Sequence, residues 1–557
     1  MKSELEKTIA QQVLDIFDQE VAIELERPEE KFGDYSTNVA MQLSGKLQKN
    51  PREIAEELVA KIQDNMGDLA SEVSIAGPGF INIKLSDKAL FESLNTAPEK
   101  IYSGQVIVTE YSDPNPFKVL HVGHLYTSIV GDAISNLLEN AGAKVHRVNF
   151  GGDVGLHVAK TMWAILQKIG GDNPGKLAEV PKSQRADWMA ENYVNGTNAY
   201  EDKEQAKNEI TDLNKKIYEI HATNDHESNL AQIYWTCRQW SYDYFDYFYS
   251  LIGSKFEKYY PESMVSSLGL ETVNKHIGDT YEKSDGAVIF NGEKYGLHTR
   301  VFINSQGLPT YEAKDVGLIM TKQADYNFDK SVIITANEID QYMQVVLKSL
   351  EQYEPELVKR TTHLTHGMVK LAGGTKMSSR KGNIIRAVDV LESASEASKQ
   401  VHGKESTETV LGAVKYALVK HRIGGDIIYD AKESVSLEGN SGPYLQYAHA
   451  RAKSILAKKP DSGHKLDDLK DLNEHERSLL RKITEYPEVI NQATKDLMPR
   501  HICSYLYELA QNFNRFYENN QVIDSDREAL RLNLVKVYSN VLSSGLKLLG
   551  ISAPDKM

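Results

Sequence analysis

Hydrophobic and polar positions change period several times along the chain, and each change marks a predicted structural unit. Up to about residue 98, helical spacing gives way to strict alternation in "FINIKL", which predicts a small α+β unit. Next come a strand pattern in "QVIVTEY", a helical stripe and a second strand pattern in "KVHRVNF". The stripe is formed by Leu125, Ile129, Ala133, Leu137 and Ala141, with Gly142 as its expected end. This order predicts a βαβ unit of a parallel sheet.

The remaining patterns predict an insertion and a helical C-terminal part. Residues from about 170 to 285 are charge-rich and then aromatic, and the aromatic run "YDYFDYFYSLIGSKFEKYYPES" is expected to be core. Strand-to-helix alternation returns at "TRVFINSQGLPTYEAKDVGLIM" and "SVIITANEIDQYMQVVLKSL", and "HLTHGMVKL" predicts a further strand. From about 408 the pattern is helical, and the stripe predicted to be bundle core comprises Leu506, Leu509, Phe513 and Phe516. The sequence therefore predicts an α/β fold: a Rossmann-type parallel-sheet domain between an N-terminal α+β domain and a C-terminal all-α helical bundle.

Composition limits the classes of protein that fit. The 557 residues are 41% hydrophobic and 25% charged, which is typical of a globular protein of several domains. The formal net charge of -14 argues against a protein that coats nucleic acid, so any such contact must use local basic surface. Cys237 and Cys503 form no CxxC pair and are expected to be buried, which fits a reducing cytoplasm. We find no signal peptide and no apolar run of 18 residues, so no membrane span is expected.

The first candidate for chemistry is "HVGH", His121 to His124, at the predicted strand-to-helix junction. Backbone N–H groups at a helix start lack partners within the helix and bind phosphate well. Two other interpretations remain open here. A metal site would need a third ligand and a motif such as HExxH, and neither is found. The two histidines could also simply cap the helix.

The second candidate is "KMSSRKGN", a segment with three cations, Lys376, Arg380 and Lys381. A solvated run of charge is the alternative interpretation. The segment, however, follows the last predicted strand of the sheet, where α/β proteins bind their ligands. Cations there could meet a triphosphate and the charge that develops on it. No GxxxxGK[ST] motif occurs, so a P-loop is not indicated.

Together the two motifs resemble the HIGH and KMSKS signatures of class I aminoacyl-tRNA synthetases. The segment "SDPNPFKVLHVGHLYTSIVGDA" is similar to the corresponding region of arginyl-tRNA synthetases. In the same family, "FGDYSTNVAMQL" and "GPGFINIKL" resemble the N-terminal additional domain, and "GNSGPYLQYAHARAKSIL" and "LYELAQNFNRFYENN" resemble the helical anticodon-binding domain. The resemblance covers nearly the whole chain and is weakest in the insertion.

The resemblance implies an arginine–tRNA ligase that uses ATP with Mg²⁺, L-arginine and tRNA(Arg). It implies a catalytic domain at 99–407, with the KMSKS-type loop at 376–382, between a tRNA-binding domain at 1–98 and an anticodon-binding domain at 408–557. The catalytic residues would be Lys118, His121, His124 and Lys376. The ATP-binding residues would be His121, Gly123, His124, Lys376, Met377 and Arg380, with adenine lying over Gly123. A cytoplasmic monomer without a structural metal is expected.

The resemblance also implies the residues that bind arginine: Glu110, Asn115, Tyr311, Asp315 and Gln341. A guanidinium is matched by carboxylates, and Tyr311 and Asp315 are four apart, hence on one face of the helix they open. A solvated helix charge is the alternative for Asp315. The sequence departs from the family at Glu338, where glutamine is usual, and at Val154 and His157 within "GDVGLH".

For tRNA, the candidates in the helical domain are Tyr444, Gln446, Tyr447 and Arg451, because unpaired bases stack on aromatic side chains. Packing within the bundle is the alternative for these residues. The two rival functions are those of another class I synthetase and of a non-catalytic tRNA-binding relative. The pocket residues and both flanking domains argue against the first, and the intact HVGH and KMSSR motifs argue against the second.

Overall fold

The computed structural model describes residues 1–372, 385–403, 406–459 and 472–557. Lys376, Met377 and Arg380 of the predicted KMSKS-type loop lie outside these described residues. The described chain folds as the predicted order of units: a small α+β unit, a parallel sheet with helices on both faces, and a helical C-terminal part. The predicted fold class is therefore confirmed.

The N-terminal unit is a three-stranded antiparallel sheet covered by helices. Its strand order is β1-β3-β2, and the alternation seen in "FINIKL" corresponds to the central strand. The elements are α1 (Lys2–Phe17), β1 (Tyr35–Thr37), α2 (Val39–Leu47), α3 (Pro51–Met66), β2 (Ala70–Ala76), β3 (Phe80–Leu85) and α4 (Asp87–Ser93).

The central unit is built on a five-stranded, all-parallel sheet with the order β11-β10-β4-β5-β6. Its first half comprises β4 (Val106–Glu110), α5 (Val122–Asn140), β5 (Lys144–Gly151), α6 (Leu156–Ile169), α7 (Arg185–Asp202), α8 (Glu204–Thr223), α9 (Asn229–Ile252) and β6 (Lys258–Pro261). Its second half comprises α10 (Glu262–Lys275), β7 (Glu282–Ser284), β8 (Ala287–Phe290), β9 (Arg300–Ile303), α11 (Tyr311–Tyr326), β10 (Lys330–Ala336), α12 (Asp340–Glu351), α13 (Pro355–Lys359), β11 (Thr361–His366) and β12 (Val369–Leu371).

The βαβ unit predicted from the apolar stripe is β4-α5-β5. Its helix is buried along the stripe, and the chain turns at Gly142 with a positive φ of 93°, which glycine adopts without strain. One expectation about the sheet is wrong. The strand predicted in "TRVFINSQG" forms as β9, but it pairs antiparallel with β8 in a separate sheet of order β7-β8-β9. In the insertion, α9 packs much of the aromatic run into the core, as predicted.

The C-terminal part is mostly helical, as predicted, with one short strand that pairs with β12. The stripe Leu506, Leu509, Phe513 and Phe516 is fully buried in it. Its elements are α14 (Ala387–His402), α15 (Thr407–Val419), β13 (Ile427–Tyr429), α16 (Ala431–Ser434), α17 (Gly442–Lys458), α18 (Glu474–Thr484), α19 (Tyr486–Asp496), α20 (Arg500–Asn519) and α21 (Glu528–Leu548). Cys237 and Cys503 are both free and buried, as expected.

A buried ion network joins the N-terminal unit to the helical part. Asp34 is completely buried, and its carboxylate lies 2.7 Å from Nη2 of Arg477 and 3.3 Å from Nε of Arg481 on α18. Arg27 contacts Glu488 of α19 at 2.6 Å. Because a buried charge without its partner is costly, these contacts fix the N-terminal unit against α18 and α19.

Candidate active site

The candidate site lies at the carboxyl edge of the parallel sheet, between β4 and β10. From β4 the chain adds β5 and β6 on one side of the sheet, and it later adds β10 and β11 on the other side of β4. The strand order therefore reverses at β4. Ligands of open α/β sheets bind at such a switch point. β4 ends at Glu110, and the loop to α5 holds Ser112, Asp113 and Phe117 at positive φ. Backbone conformations of this kind are retained mainly where function needs them.

The two histidines of HVGH cap the start of α5 and do so in a way that leaves one nitrogen of each ring available. Nδ1 of His121 accepts a hydrogen bond from the Gly123 amide at 3.1 Å, and Nδ1 of His124 accepts one from the His121 amide at 3.1 Å. A neutral imidazole that accepts at Nδ1 carries its proton on Nε2. Capping and ligand binding therefore use different atoms, so these two interpretations of the motif are compatible.

The ionisation of the histidines follows from their surroundings. Burial, and then the nearby charge of Lys118, lowers the pKa of His121 to about 4. Burial, followed by His121 and Lys118, holds the pKa of His124 well below its usual value. Both rings are consequently neutral near pH 7 and offer Nε2–H donors. A Cβ on Gly123 would lie 2.9 Å from the His121 ring, so glycine at this position lets the ring pack closely on the start of α5.

Lys118, the predicted catalytic lysine upstream of HVGH, lies over an aromatic ring of the insertion. Its Nζ is 5.2 Å from the centroid of the Tyr193 ring. Among the described residues it has no carboxylate partner at salt-bridge distance. Burial lowers the pKa of Lys118, with Lys160 acting in the same direction and Glu262 against it.

The chain that follows the predicted KMSKS-type loop is attached to the start of α5. The Val122 amide donates to the Ile385 carbonyl and the Ala387 amide donates to the Leu120 carbonyl, both at 2.9 Å. These bonds form a short antiparallel bridge beside His121. Ile385, Arg386 and Ala387, which follow the predicted KMSKS-type loop along the chain, are therefore held next to the HVGH histidines.

Asp315, predicted to bind the guanidinium, is buried in the first turns of α11. The hydroxyl of Tyr342 on α12 donates a hydrogen bond to its Oδ2, while its Oδ1 has no hydrogen bond within the described part of the chain. Burial raises the pKa of Asp315 to about 8, and Glu110 and Glu262 act in the same direction against the Tyr342 hydrogen bond. One carboxylate oxygen is thus left for a ligand.

Glu110, Asp113, Glu262 and Asp315 together form an acidic cluster at this edge. Glu110 is paired with the completely buried Lys322. Asp113 accepts a hydrogen bond from the Phe150 amide at 2.9 Å, and burial followed by Glu110 raises its pKa well above the usual value. The cluster holds more carboxylates than the two lysines that pair with it, which suits a cationic ligand.

Glu262 was not predicted from the sequence. It opens α10, and its Oε2 lies 2.5 Å from Nζ of Lys314 on α11. The two helices touch backbone to backbone, since a Cβ on Gly317 would lie 2.4 Å from the Val265 carbonyl oxygen. The one sequence signal for Glu262 is its position directly after a strand. Its partner Lys314 lies 52 residues further along the chain, so no local motif connects the two.

Asn115 and His157 meet at the backbone of Gly152. The Gly152 amide donates to Oδ1 of Asn115, and Nε2 of His157 donates to the Gly152 carbonyl, both at 2.7 Å. Nδ1 of His157 is buried without a partner in the described residues, and burial followed by Lys118 lowers the pKa of His157 to about 3. A Cβ on Gly152 would come within 2.9 Å of Glu262. The departure at His157 therefore lies in the wall of the acidic cluster.

The two other predicted arginine residues are more open. Tyr311 begins α11 and is 54% exposed, on the side of the acidic cluster. Gln341 is exposed at the start of α12, and so is Glu338 just before it. The residue from this segment that reaches Asp315 is Tyr342, which the sequence does not single out because the family pattern there points to a glutamine.

The candidates for tRNA contact differ in exposure. Gln446 is fully buried, and its amide donates to the Ser552 carbonyl at 2.9 Å, which favours bundle packing. Tyr444 receives a hydrogen bond from Asn514 at 2.9 Å. Tyr447 is 46% exposed, and Arg451 lies over the Tyr517 ring at 4.5 Å. Tyr447 is thus the candidate with the most accessible ring.

Two further properties concern the described chain as a whole. Within the ranges that the structure describes, no group of three or more His, Cys, Asp or Glu side chains has the arrangement of a metal site. Among the described helices, none combines the length and the apolar character that crossing a membrane requires.

Comparison with known proteins places this geometry in a family. Residues 87–433 match "tRNA synthetases class I (R), catalytic domain", residues 2–85 match "Arginyl tRNA synthetase N terminal domain", and residues 445–557 match "DALR anticodon binding domain". An arginine–tRNA ligase of Borreliella burgdorferi is 30% identical over 95% of this chain and 94% of its own length. One of Phocaeicola vulgatus is 26% identical over 96% of each chain. The solved arginyl-tRNA synthetase of Thermus thermophilus has the same fold, with a TM-score of 0.81, 24% identity and complete coverage of both chains. The chain belongs to the arginyl-tRNA synthetase family of class I aminoacyl-tRNA synthetases.

Proposed function

We propose that the protein is an arginine–tRNA ligase. It activates L-arginine with ATP to arginyl-adenylate and pyrophosphate, and then transfers arginine to the 3′-terminal adenosine of tRNA(Arg). The observation that carries the proposal is Asp315, a buried carboxylate inside the acidic cluster, whose Oδ1 has no hydrogen bond within the described residues. A guanidinium presents five donors in a planar fork and pairs best with carboxylates.

In the first step, a carboxylate oxygen of arginine attacks the α-phosphorus of ATP, and the bond to the bridging oxygen of pyrophosphate breaks. The nucleophile is already an anion, so the protein need not remove a proton from it. Catalysis then depends on positioning and on stabilising charge. The Nε2–H groups of His121 and His124 are suited to donate to phosphate oxygens. Lys118 and, on the loop outside the described residues, Lys376 would supply positive charge, and ATP would enter as its Mg²⁺ complex.

Arginine would lie with its guanidinium toward Asp315. Glu110 already pairs with Lys322, so we assign it an indirect role: its charge adds to the negative potential that attracts the guanidinium, without contacting it. Asn115 and Tyr311 border the same space and would contact the remainder of the substrate. Gln341, which is exposed at the start of α12, would contact the bound arginine from the solvent side.

The flanking units would bind tRNA, with the N-terminal unit (1–98) at the elbow and the helical domain (408–557) at the anticodon. The exposed ring of Tyr447 and the guanidinium of Arg451 support base stacking there. Two buried free cysteines are compatible with a reducing compartment, so we propose a cytoplasmic enzyme. We also propose a monomer, which sedimentation analysis of the purified chain would test.

Charging total tRNA with each amino acid in turn tests the proposal. Purified protein with ATP and Mg²⁺ should form an ester of tRNA with arginine. Arginine-dependent exchange of pyrophosphate into ATP, measured with and without tRNA, should report the first step separately. Preferential charging of lysine or glutamine would overturn the proposed function.

A further inference from the structure

Helices of the insertion bring two tyrosines against the two lysines of the candidate site. Tyr193 on α7 lies 5.2 Å from Nζ of Lys118, measured to the ring centroid. Tyr218 on α8 lies 5.7 Å from Nζ of Lys314. Both distances are within the range in which an aromatic face attracts a cation. The insertion, where the family resemblance is weakest, therefore contributes to the wall of the site.

The ammonium of Lys314 is held on several sides. It is paired with Glu262 at 2.5 Å, and it lies 5.7 Å from the centroid of the Tyr218 ring and 5.2 Å from the centroid of the Tyr311 ring. Burial lowers the pKa of Lys314, but Glu262 and Tyr218 outweigh that effect, so the net change is upward. Lys314 thus keeps the buried Glu262 carboxylate paired at the edge of the acidic cluster.

Lys118 is held differently, because it has a ring beneath it and no carboxylate at salt-bridge distance among the described residues. A lysine on its flexible stem can adopt many positions, and an aromatic face restricts them. A carboxylate would do the same but would neutralise the charge. The Tyr193 ring thus holds Lys118 while leaving its full charge for an anionic ligand.

The helix that carries Tyr193 is itself fixed over the site. At Gly196, α7 touches the backbone of α6, since a Cβ there would lie 1.9 Å from the Lys160 carbonyl oxygen. Near its first turn, Asp187 contacts Arg386 at 2.8 Å, and Arg386 is bridged to His121. The position of α7 is therefore tied to that of the HVGH motif.

We propose that Tyr193 and Tyr218 are positioning residues for arginine activation. Tyr193 holds Lys118 beside the start of α5, and Tyr218 holds Lys314 against Glu262. If Lys314 were released, the buried Glu262 would lose its counter-ion, and the acidic cluster that faces arginine would be disturbed. This inference rests on the proposed function, because it assigns tasks within arginine activation.

Substitution with kinetics tests the inference. Tyr193→Leu removes the ring and should lower kcat for adenylate formation by roughly fivefold to tenfold, with the arginine KM nearly unchanged, while Tyr193→Phe should resemble wild type. Tyr218→Leu removes the ring beside Lys314 and should raise the arginine KM by roughly fivefold, with the ATP KM unchanged. The reactions contain tRNA, so that a need for tRNA in activation does not obscure the result.

Tyr295→Leu is the matched control. Tyr295 has Lys348 at 5.0 Å from its ring and a hydroxyl bonded to Gln352 at 2.9 Å, but it lies on the surface by the later turns of α12. Absence of arginine activation in the wild type would refute the proposed function itself. An active wild type whose Tyr193→Leu variant and Tyr218→Leu variant both behave like Tyr295→Leu would overturn only this inference. Thermal unfolding of each variant shows whether a kinetic loss merely follows a loss of folded protein.

Discussion

Replacing Asp315 with asparagine tests the acidic cluster most directly, because the change preserves size and removes charge. The amide oxygen can still accept the hydrogen bond from the Tyr342 hydroxyl. The amide nitrogen then takes the place of the free carboxylate oxygen. A guanidinium would meet a donor there, and two donors cannot pair.

The expected loss can be worked from the burial of this carboxylate. Removing one partner of a buried, hydrogen-bonded charge pair costs about 2–5 kcal/mol, which is roughly 30-fold or more in kcat/KM for arginine. In the free wild-type protein the pKa of Asp315 is about 8, so at pH 7 roughly nine in ten molecules hold a neutral acid there. Binding of arginine therefore requires loss of that proton, which costs about 1.4 kcal/mol for each unit by which the pH lies below the pKa of Asp315.

The assay is arginine-dependent pyrophosphate exchange between pH 6 and 9. Wild-type kcat/KM for arginine should rise roughly tenfold from pH 6 to 7 and level off above pH 8, because binding requires the ionised acid. The Asp315→Asn profile should lack this rise, so the two profiles should diverge with pH. Asp325→Asn is the matched control on the same helix, since Asp325 lies at its far end and pairs with Lys258 at 2.6 Å. Discrimination against citrulline, an uncharged near-isostere, should also shrink in Asp315→Asn.

The raised pKa of Asp315 also predicts how the stability of the folded protein depends on pH. Between about pH 4 and 8 the folded protein holds a proton on Asp315 that the unfolded chain releases, so the free energy of unfolding should fall as pH rises through this window. Asp315→Asn should reduce that dependence in the absence of substrate. Arginine kinetics like those of the wild type, or an equal loss in Asp325→Asn, would refute the assignment of the guanidinium to Asp315.

Substitutions at three further residues test the HVGH motif and the contacts that support the site. His121→Asn keeps a capping acceptor for α5 but loses the Nε2 donor, so adenylate formation should fall about 10²–10³-fold at a nearly unchanged melting temperature, whereas His121→Ala should lower both. Asp34→Asn weakens the buried partner of two α18 arginines, so hydrogen exchange should quicken at that interface and the KM for tRNA should rise while arginine activation is retained. Glu110→Gln leaves Lys322 buried without its counter-ion, which typically costs about 3–5 kcal/mol, so calorimetry should show a lower unfolding temperature even without substrate.

The parts of the fold that the sequence predicted well are those fixed by local periodicity. The stripe from Leu125 to Ala141 predicts α5 because one helix face must be buried whatever packs against it. β9 was placed in the wrong sheet because alternation reports that a strand forms and not which strand it pairs with. Pairing is decided by contacts across the fold, and these leave no trace in the local period.

The residues of the candidate site likewise divide into those that a local motif identifies and those that only the fold brings together. HVGH was recognisable as a motif, but its capping bonds, and with them the tautomers of His121 and His124, needed coordinates. Glu262 and Tyr342 come from separate helices, and no spacing connects them to Asp315. No sequence pattern singles out Tyr193 either, since it lies in a charge-rich stretch, while the conspicuous aromatic run of α9 is largely core.

Burial explains why the two halves of the site have opposite ionisation shifts. It lowers the pKa of His121 and raises that of Asp315, so before substrates bind the first is an uncharged donor and the second is mostly an uncharged acid. Isolated charges in such a site would be costly to bury. The substrates bring the charges instead, the triphosphate toward Lys118 and the guanidinium toward Asp315, which ionises only when its partner arrives. Preference for arginine would then come from this coupled ionisation, because an uncharged side chain of the same shape leaves Asp315 protonated and forms no ion pair with it.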